Sequence, residues 1–123
     1  MKKSFFLLLT VFLVLSFCGS ALAQVSQVSA QSNGYTWVNG SAKFTFSGSV
    51  YSERAGQIQY RWLRSDNANP PVHTLNASGP GWYPVEPASW ALGTKWSGQT
   101  FSITLEVIHP NNISSAPVNF TVP

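Results

Sequence analysis

The sequence predicts an all-β sandwich domain. Two observations carry this prediction: apolar residues alternate with polar ones in several runs, and clusters of Gly, Pro, Asn, Asp and Ser separate those runs. No apolar stripe at helical spacing extends beyond a turn or two. About seven short strands in roughly 100 residues are typical of two antiparallel sheets packed face to face. We therefore expect a single antiparallel β-sandwich of about seven strands, without a disulfide.

The first 23 residues have the order of a secretory signal peptide. Two lysines precede an apolar run, residues 5–17, and small residues ending at Ala23 follow it. The run is shorter than the roughly 20 apolar residues of a membrane span. We expect cleavage after Ala23, secretion to the extracellular space or cell surface, and no membrane insertion afterwards. The alternative is lipidation of Cys18, which Phe17 disfavours because the residue before a lipidated cysteine is normally small.

Removal of this signal changes the charge of the chain. The full sequence has a formal net charge of +3, of which Lys2 and Lys3 contribute two charges, so the mature part carries +1. A nearly neutral domain lacks the basic surface that binds nucleic acids or anionic lipids, and we expect neither partner. The only cysteine leaves with the signal, so the stability of the domain must come from its core.

The predicted elements follow in chain order. Residues 24–34 contain no aromatic residue and are predicted to be a polar leader or a poorly ordered edge segment, with the ordered domain over residues 35–123. Strands are predicted at residues 43–51, 57–64, 72–77, 99–109 and 117–122, with a stretch at 82–92 that two prolines interrupt. We expect the first two strands to be neighbours and residues 99–109 to be central in a sheet.

The apolar side of these strands predicts the core. Its members alternate with polar residues, and we interpret their side chains as packing groups: Phe44, Phe46, Tyr60, Trp62, Phe101, Ile103, Leu105, Val107 and Phe120.

Several short motifs within these elements match a known family. They are Tyr60-Arg61-Trp62, Arg64-Ser65-Asp66, Trp90-x-Leu92-Gly93 and Glu106-Val107-Ile108-His109-Pro110-Asn111 before a final short strand. Over roughly residues 36–123 the chain resembles the small immunoglobulin-like domains of secreted bacterial proteins. The resemblance implies that Trp62 is buried against the opposite sheet and that Trp90 is structural. Because the chain lacks the cysteine pair of antibody domains, Trp62 must pack on aliphatic residues such as Leu105 or Val107.

The sequence contains no pattern typical of a catalytic or metal centre. His73 and His109 lack the further ligands that zinc needs, and residues 66–69 depart from a calcium loop after three positions and are typical of a turn. Serine nucleophile motifs are absent, and the glutamates occupy ordinary surface positions. We therefore predict no enzymatic activity and no bound metal or cofactor.

An aromatic cluster between residues 82 and 96 provides a candidate binding site. Trp82, Tyr83 and Trp96 occur among Gly, Pro, Ser and Lys, where the alternation of strands is poor. Together with Asp66 in the loop 65–71 they define a predicted binding surface, because rigid rings stack on sugars or anchor a protein partner. The alternative is that these rings close the edge and ends of the sandwich.

Three functions remain open at this point. The first is a secreted, non-catalytic module for extracellular binding or adhesion, with a protein or glycan partner. The second is a carbohydrate-binding domain that uses the aromatic rings as a platform. The third is a structural or assembly component that pairs through an edge strand. The first two predict a monomer, whereas the third predicts self-association.

Overall fold

The computed structural model describes residues 23–123, which form nine β-strands and a 3-10 turn at Thr94–Trp96. The strands are β1 Val25–Val38, β2 Ser41–Ser52, β3 Gly56–Arg64, β4 His73–Ala77, β5 Gly81–Pro84, β6 Ala88–Gly93, β7 Thr100–His109, β8 Ile113–Ser114 and β9 Val118–Thr121. The predicted signal peptide, apart from Ala23, and Cys18 lie outside the described residues. Within residues 23–123, no helix is long and apolar enough to cross a membrane.

The strands form two antiparallel sheets. In the first sheet β2 is central, with β1 on one side and β6 and β5 paired with successive parts of its other side. In the second sheet β3 and β7 are central, β4 lies outside β3, and β9 and β8 pair with successive parts of the far side of β7. β5 and β6 together occupy one strand position beside β2, and β8 and β9 together occupy one beside β7. The nine strands therefore fill seven positions, which agrees with the predicted number of strands.

The N-terminal strand begins earlier than the sequence suggested. The structure places residues 25–38 in β1, paired along β2, where a polar leader was expected over residues 24–34. Most side chains of β1 are exposed, so this strand depends on backbone hydrogen bonds to β2 more than on apolar burial. A strand that is held by backbone pairing needs no alternation of apolar and polar residues. The polar sequence of this segment therefore did not indicate a strand.

The prediction that β2 and β3 are neighbours in one sheet is wrong. After β2 the chain turns at Ser52, whose hydroxyl donates to the Arg54 carbonyl at 2.6 Å, and then crosses to the other sheet. The central strands β2, β3 and β7 each have one apolar face, and these faces oppose one another across the core. The alternation of apolar residues identifies the inner face of a strand but not its neighbour. β7 is central in its sheet, as expected.

The core fills the space between the sheets. Of the residues assigned to it from the sequence, Phe101 is half-buried and all the others, including Trp90, are buried. Phe120 contacts Phe44 and Trp90, with ring centroids 4.6 Å and 5.3 Å apart. An aromatic cluster therefore closes the core at the end where β2 begins.

Trp62 connects the two sheets near the middle of the sandwich. It lies opposite Leu105 in the second sheet, and its indole N–H donates to the Glu86 carbonyl at 2.9 Å, in the segment between β5 and β6 of the first sheet. The hydroxyl of Tyr60 accepts a hydrogen bond from the N–H of Glu86 at 2.7 Å. Burial raises the pKa of this phenol, so Tyr60 remains a neutral hydrogen-bonding group at ordinary pH.

Gly48 of β2 lies across the core from Trp62 and Leu105. A Cβ at this position would lie 2.8 Å from Cδ2 of Leu105, 2.8 Å from the Ser29 carbonyl oxygen and 3.2 Å from the Trp62 ring. The absence of a side chain at Gly48 therefore sets how closely β2 approaches the second sheet.

We predict that Gly48→Ala lowers the free energy of unfolding by about 1–3 kcal/mol, because the new methyl group must displace backbone or core atoms. Urea denaturation followed by tryptophan fluorescence measures this loss. Gly79→Ala is the matched control, because a Cβ at Gly79 would have no atom within 4 Å apart from those of Gly79 and its two chain neighbours. Equal stabilities of the two variants would contradict the packing described for Gly48.

Candidate functional site

Trp82 is the exposed member of the predicted aromatic cluster. Its side chain is 50% exposed, and β5 places it opposite Tyr51 of β2, with the two rings edge to face at a centroid distance of 5.5 Å. The neighbouring Val50 is fully buried, so Tyr51 and Trp82 lie on the outer face of the first sheet. The exposed Trp82 ring and the partly buried Tyr51 ring therefore form a pair fixed to adjacent strands.

A shallow polar groove lies on the same outer face. Its volume is about 180 Å³, and it is lined by Ser29, Gln31, Ser47, Gly48 and Ser49. Cross-strand register sets Ser29 against Ser49 and Gln31 against Ser47, so hydroxyl and amide groups lie side by side. Ser47, Ser49 and Tyr51 are alternate residues of β2, so the groove leads toward the ring pair. None of the lining residues is charged.

Tyr83 has a structural role in the turn before β5. Its hydroxyl accepts hydrogen bonds from the N–H groups of Ser78 and Gly79, both at 3.0 Å, and donates to the Gly79 carbonyl at 2.7 Å. The hydrogen bond with the Ser78 side chain contributes most to lowering the pKa of the Tyr83 phenol. The hydroxyl of Tyr83 is therefore engaged by the loop between β4 and β5.

Trp96 lies far from Trp82. It is half-buried in the 3-10 turn after β6, edge to face with Phe101 at 5.8 Å, and the Lys95 ammonium group is 5.1 Å from its ring. Trp96 follows the end of β6, where β6 pairs with Ser41 of β2, whereas Trp82 pairs with Tyr51 of β2. These positions on β2 are about 30 Å apart. The rings of the predicted cluster thus do not form one surface.

Asp66 is engaged in the loop after β3. Its carboxylate accepts hydrogen bonds from Nε and Nη2 of Arg64, at 3.1 Å and 2.5 Å, and from the Ala68 N–H at 3.1 Å. The Arg64 guanidinium also lies 4.1 Å from the centre of the Trp90 ring. Hydrogen bonds from Arg64 hold the pKa of the Asp66 carboxyl below its usual value. The carboxylate therefore organises its own turn and anchors Arg64.

A second cavity, of about 230 Å³, lies beneath the same loop. Pro70, Pro71 and Pro87 form part of its wall, together with Arg64 and His73. The His73 ring stacks on Tyr60 at 5.3 Å, and Asp66 neutralises Arg64. This cavity can accept a small apolar group. Among residues 23–123, no three His, Cys, Asp or Glu side chains are placed to hold a metal ion.

Tyr51 is the site residue that sequence reasoning missed. It lies at the outer end of a predicted strand, but its partnership with Trp82 depends on the pairing of β2 with β5. The only available signal was the outward position of Tyr51 in the alternation of residues 43–51. That position alone does not distinguish a binding residue from an ordinary surface tyrosine.

We predict that Asp66 titrates below the usual aspartate pKa of about 3.9, and that Arg64→Gln raises its midpoint toward that value. Because the folded-state pKa is the lower one, the ionised carboxylate favours folding above the unfolded-state pKa, and this contribution disappears as pH falls through the folded-state pKa. Carboxyl NMR titration measures the midpoint. Lys43→Gln, which removes a cation elsewhere, should leave it unchanged, whereas an unchanged midpoint in Arg64→Gln would contradict the pairing.

No protein-family model, curated protein or solved structure matches this chain. Its function therefore has to be inferred from the surfaces described above. The outer face of the first sheet, at Trp82, Tyr51 and the adjoining groove, combines an exposed ring with hydrogen-bonding groups.

Proposed function

We propose that this chain is an exported, non-catalytic, immunoglobulin-like module that binds a neutral glycan outside the cell. The signal-like N-terminal sequence supports export. The order of strands supports the immunoglobulin-like assignment: β1, β2 and β5 with β6 form one sheet, β4, β3, β7 and β8 with β9 form the other, and Trp62 is buried on the third strand.

The observation that carries the glycan proposal is the exposed Trp82 ring held against Tyr51. A sugar ring presents C–H groups on its faces, which pack on an aromatic surface, and the sheet holds the aromatic rings in place before binding. Little conformational freedom is therefore lost when a ligand stacks there.

The groove beside the rings supports a neutral ligand. Serine hydroxyls and a glutamine amide donate and accept hydrogen bonds, which matches the hydroxyl groups of a sugar. The lining residues include no charge that would balance an acidic or basic partner. The site proposed here retains Trp82 from the predicted surface, adds Tyr51, and leaves Tyr83, Trp96 and Asp66 to their structural contacts.

We predict that Trp82→Ala weakens binding to a neutral polysaccharide by about tenfold or more, since a loss of 1.4 kcal/mol of contact energy corresponds to a factor of ten. Affinity electrophoresis in gels containing soluble neutral polysaccharides, and pull-down on insoluble ones, measure the effect. Tyr51→Ala should weaken binding in the same assays.

The matched control is Trp37→Ala. Trp37 is 55% exposed, close to the 50% of Trp82, but it lies on β1 near the tip of the β1–β2 hairpin. Binding should survive this substitution. The proposal fails if folded Trp82→Ala retains the affinity of the unsubstituted protein, or if none of the neutral polysaccharides is bound.

A further inference from the structure

β1 is an unusually open sheet edge. It has 14 residues, more than any other described strand, and within residues 23–123 it pairs with β2 on one side only. An unpaired edge presents N–H and C=O groups that accept an added strand. Natural β-proteins usually block such edges with prolines, charges, bulges or short strands.

The other three edges of the sandwich are blocked in this way. They are formed by β4, by β5 with β6, and by β8 with β9, and none of these strands exceeds six residues. All eight prolines of the chain lie in or beside these edges: Pro70, Pro71, Pro80, Pro84, Pro87, Pro110, Pro117 and Pro123. Because proline cannot donate to a ladder, it discourages strand addition there. β1 contains neither a proline nor a charged residue.

Exposed apolar side chains also concentrate on β1. Tyr35, Trp37 and Val38 are 43%, 55% and 44% exposed, and they account for three of the five exposed large apolar residues of the described chain. Tyr35 packs on Trp37 and on Phe44, with ring centroids 5.8 Å and 5.3 Å away. This end of β1 therefore offers apolar surface beside its free backbone groups.

The backbone of β1 is oriented for pairing. The Gly48 carbonyl accepts from the Val85 N–H at 3.1 Å, on the side of β2 away from β1. Ala30, opposite Gly48, is therefore in a non-hydrogen-bonded pair, and its own N–H and C=O point away from β2. The pairing of β1 with β2 is regular between its two register shifts, at Val25/Gln27 and Ser32/Tyr35. Within that stretch alternate residues share the orientation of Ala30, so Val28, Ala30 and Ser32 present donors and acceptors along the outer edge.

Asn111 shows that this edge accepts a strand-like partner. Its side-chain amide accepts a hydrogen bond from the Val25 N–H at 3.0 Å and donates to the Val25 carbonyl at 2.8 Å. An added strand makes the same pair of hydrogen bonds. Asn111 hydrogen-bonds only to the first residue of β1, and among residues 23–123 no other strand pairs with the rest of this edge.

We propose that this edge pairs with β1 of a second copy of the chain, antiparallel about a two-fold axis. An uncharged segment meets its own copy without repulsion, and the two-fold arrangement matches donors to acceptors on both strands. The small net charge of the mature part also allows two copies to approach. This inference does not depend on glycan binding, and it replaces the monomer expected from the sequence.

Sedimentation equilibrium of the exported protein, over a series of concentrations, tests the proposal. The unsubstituted protein should dimerise. Ala30→Pro removes a donor that faces away from β2, and Ser29→Lys with Gln31→Lys places charges beside the edge; each should weaken dimerisation by about tenfold or more. The two lysines replace exposed residues, so they test the edge even if the proline variant does not fold.

The matched control introduces the same charges at the opposite edge of the same sheet. Ser89→Lys with Ala91→Lys on β6 changes exposed residues and should leave the dimer intact. Near-ultraviolet circular dichroism verifies that each variant is folded. A monomeric unsubstituted protein at every concentration would overturn the proposal, as would a dimer that persists in the folded lysine variant of β1.

Discussion

The packing of Trp62 between the sheets is the constraint on which the rest of the structure depends. The sheets have no disulfide to hold them together, and Trp62 contributes to both: it lies beside Leu105, beneath Gly48, and bonds to the Glu86 carbonyl. The Tyr60 hydroxyl binds the N–H of the same glutamate. These contacts fix the segment between β5 and β6, so that β5 pairs with the end of β2 and presents Trp82 beside Tyr51.

The surface of this sandwich is divided into regions with different roles. Within residues 23–123, proline and short strands close three edges, whereas β1 pairs on one side only. The outer face of the first sheet carries the ring pair and the polar groove. The proposed glycan site and the proposed pairing of two copies through β1 are compatible in geometry. A two-fold axis perpendicular to the plane of the sheet would join two first sheets into one and place both Trp82 rings on the same face.

The sequence predicts the inner face of each strand well, because burial imposes a period of two on side chains. Phe46 and Leu105 are examples, since both are fully buried as their alternation indicates. Pairing is less predictable because it depends on the path of the chain between strands. For this reason β2 and β3 were wrongly placed side by side, and the distance between Trp82 and Trp96 was not apparent. β1 shows a further limit, since backbone pairing can order a polar segment that has no apolar period.

The most direct test of the proposed division between core and binding surfaces is ¹⁹F NMR of the protein labelled with 5-fluorotryptophan. Its five tryptophans report on different regions: Trp62 and Trp90 on the core, Trp96 on the distant turn, Trp82 on the outer face and Trp37 on the open edge. We expect a soluble neutral oligosaccharide to shift the Trp82 resonance, and dilution to shift that of Trp37, while the Trp62 and Trp90 resonances stay unchanged. Shifts confined to Trp62 and Trp90, with Trp82 and Trp37 unaffected, would contradict this account.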